Sequence, residues 1–437
     1  MRINLSRVAL STLVGLLAAG CGSKGGSSGT SGGSGAGGAA DSSGGAQTLT
    51  IISPHSNQIQ NEFETAFKAT NPGVTIKWID KGATSEDLRF VQSQFQSKPQ
   101  GIGIDCFFGG GGETFDQLES ANALQPLAET FGVPDKLNGV PLVGKDKMWV
   151  AAALSDFGIL YNKALFVRDR LPLPKSWADL GNPALKGRVG LADPRHSGSA
   201  HAVFEIILQT AGWDAGWKIL NRMAANAREF SRGSSDLPQS VARGDTVAAT
   251  SINFYALAAI ASAGADKLGY ISPVGGVVQT PDPIGILKGA PHMELAKKWV
   301  AFVMSPTGQK LWMLPKGAPG GPKAASLFRQ PALPALYKPI PKNSLVQSDP
   351  YATKNSRPYD ADKAAARRQA LDDLLGAILI DDLDTVEAAA STPAKLDWVP
   401  ITEAQMQQDA AQWNDSTFRT KKIGEWSNAA RVHYGGS

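Results

Sequence analysis

From residue 48 onward the apolar positions alternate between two rhythms. Leu49-Thr50-Ile51-Ile52 and Val74-Thr75-Ile76-Lys77-Trp78-Ile79 are short β-branched runs of strand type, and residues 102–108 form a third that ends in four glycines, Gly109 to Gly112. Between the first two, Ile59, Phe63, Ala66 and Phe67 keep the spacing of one helix face over residues 59–69, and Asn71-Pro72-Gly73 stops it. Residues 85–94 predict a second helix. Strands alternating with helices imply βαβ units and a largely parallel sheet. Past Pro331 the chain is rich in proline as far as Pro358, and a helix-compatible run then extends over residues 361–390, with Leu371, Leu374, Leu375, Ile378 and Leu379 apolar. The acidic pairs Asp372-Asp373 and Asp381-Asp382 of that run read as a solvated face.

The first residues follow neither rhythm. An apolar run over residues 8–19 sits behind Arg2 and Arg7 and is shorter than the ~20 residues a bilayer span needs, so it reads as an export signal. Leu17-Ala18-Ala19-Gly20-Cys21 resembles the lipobox of bacterial lipoproteins, which implies cleavage before Cys21 and acylation of its sulfur. Residues 22–45 are almost wholly Gly, Ser and Ala, the composition of a flexible leash. Gly29-Thr30-Ser31-Gly32-Gly33 meets the hydrolase pattern Gly-x-Ser-x-Gly by composition alone, with no strand before it and no helix after it.

Composition narrows the function classes. The net charge of +4 is small for 437 residues and is not gathered into basic runs, which argues against nucleic acid as a partner. With 2 cysteines, one of them the lipidation candidate, Cys106 has no disulfide partner and no cysteine metal site can be built. Enzyme motifs are missing: Gly109 to Thr114 lacks the Lys-Ser/Thr of a phosphate loop, Gly101-Ile102-Gly103 lacks a third glycine, and His196 and His201 are five apart rather than four. The chain is therefore expected not to be an enzyme and to need no cofactor.

Several segments in fixed order give a family resemblance. They are Phe157-Gly158-Ile159-Leu160-Tyr161-Asn162-Lys163, Pro174-Lys175-Ser176-Trp177-Ala178-Asp179-Leu180, Lys186-Gly187-Arg188-Val189-Gly190-Leu191-Ala192-Asp193-Pro194, Arg243-Gly244-Asp245, and Ser305-Pro306-Thr307-Gly308-Gln309. Over residues 48–330 the chain resembles family-1 extracellular solute-binding proteins of ABC importers, in particular the ferric-iron-binding branch. The resemblance implies an α/β fold of two doubly wound lobes joined by a hinge, the type 2 periplasmic-binding-protein fold, here with a C-terminal helical extension. The expected organisation is a signal peptide at 1–20, lipidated Cys21 and linker at 21–46, lobe one at 47–152 plus 279–330, lobe two at 153–278, and an extension at 331–437 packing on the lobes. A monomer is expected to capture a small solute or metal ion between the lobes and deliver it to a membrane permease, while its lipid anchors it to the cell envelope outside the cytoplasm, in the periplasm or on the outer face of the membrane. The alternative from another class is a solute-sensing lipoprotein without a transporter.

Ligands of doubly wound sheets bind beyond strand ends, so the loops that follow strands supply the candidates. These are Ser53, His55 and Ser56; Thr84 and Ser85; Gly110 and Gly111; Ser197 and Ser199; and Ser234. Asp282, on the returning strand, joins them, as would Asp156 in a box for an amine. Ferric-binding relatives use adjacent tyrosines after an Asn, often with a histidine from the first loop. Here Asn253-Phe254-Tyr255 keeps one tyrosine, so the resemblance implies His55 and Tyr255 as ligands if the cargo is Fe(III). Ser- and Gly-rich helix starts with Arg195 and Arg232 nearby suit an oxyanion such as phosphate or a phosphonate instead. Iron, oxyanion and amine all stay open at this level.

Overall fold

The computed structural model describes residues 47–352 and 357–435; the export segment, Cys21 and the Gly/Ser leash lie outside them. The first three β-branched runs pair as the sequence rhythm requires. Strand Gln47–Ile52 lies between Val74–Ile79 and Cys106–Phe108, parallel to both, with Ile51 beside Trp78 and Ile52 beside Phe107. Thr280–Leu287 joins antiparallel to Cys106–Phe108, then come Val150–Ser155 and Gln330–Pro331, while Leu124–Gln125 adds to Thr280–Leu287. A second sheet runs Ala227–Ser231, Val189–Ala192, Ala248–Ile252, Phe157–Asn162, Leu268–Ile271. Each sheet with its helices is one lobe. The chain passes from the first sheet to the second at Asp156, between Val150–Ser155 and Phe157–Asn162, and returns through residues 272–279.

Local chemistry sets the element ends. Helix Asn57–Thr70 buries Ile59, Phe63 and Phe67, three residues of the expected stripe, against the first sheet. Phe63 packs 4.5 Å from Trp312 and Phe67 5.1 Å from Trp299. Burying such side chains contributes about 1.5–3 kcal/mol each. The expected strand over residues 102–108 is pared to Cys106–Phe108 because Gly103 turns to a φ of 77° and breaks the extension.

The C-terminal extension packs on both lobes: Ala332 and Leu333 lie in lobe one's core, and the helical part is built into lobe two's. Leu371, Leu374, Leu375, Ile378 and Leu379 are buried in the same cluster as Phe204, Trp217 and Leu220. Arg367 is buried with them, bonding Glu205 at 2.7 Å and Glu403 at 2.7 Å, with its guanidinium 4.9 Å over Trp213. The expected helix over residues 361–390 is three pieces: Ala361–Leu375, a π-helical turn Gly376–Ile380, and Leu383–Ala389. The wide turn falls where the Arg195 guanidinium lies against Gly376, so close that a Cβ there would come within 2.5 Å of it. The solvated reading of Asp372-Asp373 is corrected. Asp372 is buried and bonds His201, and Asp373 accepts from Trp413 Nε1 at 3.0 Å, because later helices and lobe two cover this face.

Candidate functional site

Lobe one brings its candidate loops to one edge. Ser53 Oγ donates to the Phe108 carbonyl at 2.7 Å, tying the first loop to the glycine run, and accepts from the His55 N–H at 3.2 Å. Gln60 Nε2 donates to the His55 carbonyl at 2.8 Å, and the imidazole stands edge-on to Phe108 at 4.5 Å. Gly109, at a φ of 91°, leaves the space that His55 fills; a Cβ there would lie 2.5 Å from His55 Nε2. A Cβ on Gly110 would likewise meet the Thr84 methyl at 2.9 Å. Ser53, His55, Thr84, Gly110 and Gly111 thus converge. Ser56 and Ser85 sit on the same loops but are exposed.

Asp282 is the centre of this edge. Its Oδ2 accepts from His55 Nε2 at 2.9 Å and from Arg329 Nη1, while Oδ1 accepts from Gly110 N at 2.9 Å and Gly111 N at 3.4 Å. Burial pushes this carboxyl up, but the Arg329 charge, then His55 and the Gly111 N–H, outweigh it and hold the pKa well below the usual carboxylate range. Burial pushes His55 down from 6.5, against the opposing pull of Asp282, so the ring is neutral. An ionised carboxylate only accepts, which places the imidazole proton on Nε2 and leaves buried Nδ1 without a partner. Arg329 was not anticipated, because an arginine just before a two-residue strand carries no pattern. Its Nε is also buried without a partner, and its guanidinium lies 3.9 Å over the ring of Phe254.

Phe254 begins helix Asn253–Ala263 of lobe two, so this contact joins the lobes. Tyr255 packs beside it, ring centroids 4.4 Å apart, half-buried. Ser197 caps helix Gly198–Ala211 through Ala200 N, and its hydroxyl meets that of buried Ser234 at 2.6 Å. Ser199 is half-buried in the first turn of the same helix. Of the two arginines considered for an oxyanion, Arg195 is spent on Asp193 and Asp381, and Arg232 is exposed. Asp156 sits at the crossing, accepting from Tyr270 Oη at 2.8 Å and Gln330 Nε2 at 3.3 Å; burial raises its pKa. Among the described residues no three His, Cys, Asp or Glu side chains gather as a metal site.

The fold alone does not name a family, and the sequence decides it. The profile described as bacterial extracellular solute-binding protein matches residues 104–335. The chain belongs to that family. This solute-binding protein is 28% identical over 291 residues to the phosphoglycerate transport regulatory protein PgtC of Salmonella typhimurium, covering 63% of this chain and 69% of the relative. It is 28% identical over 244 residues to the major ferric iron-binding protein of Neisseria meningitidis serogroup B, covering 54% and 72%. Among solved structures it is similar to the periplasmic binding protein AfuA of Actinobacillus pleuropneumoniae with fructose-6-phosphate bound (TM-score 0.60, 19% identity, 76% of this chain and 98% of that one). Iron-bound HitA of Pseudomonas aeruginosa gives a TM-score of 0.56 at 19% identity, with 75% and 98% covered. These structures share the fold. As a member of its family the solute-binding protein works outside the cytoplasm with an ABC transporter, and no described helix is long and apolar enough to cross a membrane.

Proposed function

We propose that the protein captures an anionic organic solute, of the phosphorylated-acid or sugar-phosphate class, between lobe one (47–152 plus 279–330) and lobe two (153–278), and hands it to the permease of an ABC importer. The observation that carries this reading is the state of the lobe-one edge. Its carboxylate, Asp282, is already filled by His55, Arg329 and two peptide N–H groups, whereas Arg329 keeps a buried Nε–H with no acceptor. With the charge of Arg329 balanced by Asp282, the N–H left without an acceptor suits a hydrogen-bond-accepting anion rather than a metal cation. In the other lobe the hydroxyls of Ser197, at the start of helix Gly198–Ala211, and Ser234 meet at 2.6 Å and add polar groups of the kind an anion accepts from. PgtC and AfuA, whose names carry phosphoglycerate and fructose-6-phosphate, support the solute class. Closure follows from a ligand that touches both lobes and so favours the closed state.

Ferric iron would need Tyr255 and His55, yet His55 Nε2 is engaged by Asp282 and Phe254 spends its face on Arg329. The test is to titrate stripped protein separately with 3-phosphoglycerate, inorganic phosphate and Fe(III)-citrate, following tryptophan fluorescence and the visible spectrum. Saturable fluorescence change with 3-phosphoglycerate and no visible band is expected. A tyrosinate-to-iron band that disappears in Tyr255→Phe would instead establish iron as cargo. A second reading, in which the loaded protein signals rather than feeds a permease, is favoured by PgtC being named a regulatory protein; solute uptake that survives deletion of the gene for this chain would select it. We also place the mature protein on a lipid anchor at Cys21, supported by the lipobox resemblance and the leash behind it.

A further inference from the structure

The extension sets a cation, Arg368, where it meets side chains of both lobes. Arg368, on helix Ala361–Leu375, lies over the first turn of helix Gly198–Ala211: a Cβ on Gly198 would be 3.3 Å from its Nη2. Beside it His201 is 1% exposed, with Nδ1 bonded to Asp372 at 2.6 Å. Burial works against charge on this ring, but Asp372 and then Glu205 overcome it and hold the pKa above 6.5. The imidazolium Nε2 is buried, has no hydrogen-bond partner, and points toward Glu113 Oε1 at 3.8 Å. The guanidinium and the imidazole Nε2–H thus both stand at the first turn of a helix whose Ser197 cap takes the Ala200 N–H. One carboxylate meets them: Glu113, from lobe one's helix Gly112–Ser120, forms an ion pair with Arg368. Of the other carboxylates nearby, Asp372 bonds His201 and also acts on Arg368 by its charge, and Glu205 pairs with Arg367.

We propose that Arg368, His201 and the start of helix Gly198–Ala211 form a second anion subsite, supplied in part by the C-terminal extension, which receives the far anionic group of a two-headed solute such as a phosphorylated carboxylate. Glu113 fills it when no solute is present and gives way when one enters. The solute's first anionic group is held at the Arg329 edge, so this inference rests on the function proposed above. It explains why the extension is packed on lobe two beside the cleft rather than elsewhere. Arg368 is a specificity residue here: it selects solutes with two anionic ends over solutes with one.

The experiment compares 3-phosphoglycerate, which has two anionic ends, with glycerol 3-phosphate, which has one, by calorimetry on the full chain and on Arg368→Gln and Glu113→Gln. Both changes are at part-exposed positions. The parent should prefer 3-phosphoglycerate. Arg368→Gln should lose about tenfold in affinity for it and little for glycerol 3-phosphate, the scale of one charge-assisted contact. Glu113→Gln should bind 3-phosphoglycerate more tightly than the parent, because the internal competitor is gone. Equal affinity of Arg368→Gln and parent for 3-phosphoglycerate overturns the subsite while leaving the anion reading in place. Weaker binding by Glu113→Gln overturns it too, since that is the behaviour of a plain clasp between lobes. A parent that binds neither probe removes both the anion reading and the subsite.

Discussion

Arg329→Met isolates the electrostatics of the lobe-one edge. The change keeps an apolar stem against Phe254 and Trp312 but withdraws the charge from Asp282, whose side chain is 11% exposed. Breaking a buried pair by deleting one partner costs about 3–5 kcal/mol. Asp282 still has His55 and two peptide N–H groups, so the lower end, about 3 kcal/mol at pH 8, is expected. The pH dependence follows from His55. In the parent its pKa is lowered, so on acidification below 6.5 the unfolded chain takes the proton first and stability falls. In the variant the repulsion from Arg329 is gone while Asp282 remains, so the folded pKa of His55 is higher than in the parent. With a higher folded pKa the variant loses less stability on acidification than the parent does. The stability difference between parent and variant should therefore shrink from pH 8 to pH 5.5. Urea unfolding followed by tryptophan fluorescence at both pH values measures it, and taking the difference cancels groups common to both proteins, such as Asp87 and Asp116 near pKa 6. A difference below about 1 kcal/mol at pH 8, or one that stays constant with pH, refutes the described coupling.

Two further changes probe the loop and the anchor. Gly109→Ala places a methyl 2.5 Å from His55 Nε2 at a φ of 91°, so the imidazole must turn off Asp282; beyond roughly 1–2 kcal/mol of backbone strain, solute affinity should drop more than about tenfold, and unchanged calorimetric binding would contradict the site's geometry. Cys21→Ser should move the protein from the membrane fraction to the soluble one, whereas membrane retention would dismiss the lipid anchor.

How far the sequence could be read depended on distance along the chain. The opening strands and the Ile59, Phe63 and Phe67 stripe are local patterns, and periodicity alone finds them. The lobe-one candidates could be collected because they follow strands in a fold that brings strand ends together. Arg329 and Arg368 could not, since each reads as an ordinary surface cation until a partner from far away in sequence covers it. Asp372-Asp373 misleads for the same reason. A polar face looks alike whether water or a later helix covers it, and here Trp413 and His201 lie 40 and 171 residues away. The break at Gly376 depends on Arg195, which helical spacing does not contain.

The union of the extension with lobe two bears on when the protein can fold. Tyr434, three residues from the chain's end, hydrogen-bonds Asn221 through its hydroxyl at 3.0 Å and shares a core with Trp217, Leu220 and Leu371. A nascent chain cannot complete that core until Tyr434 has been translated, more than 200 residues after Asn221. Until then the second lobe lacks part of its core, a condition that suits a polypeptide exported before it takes its final shape.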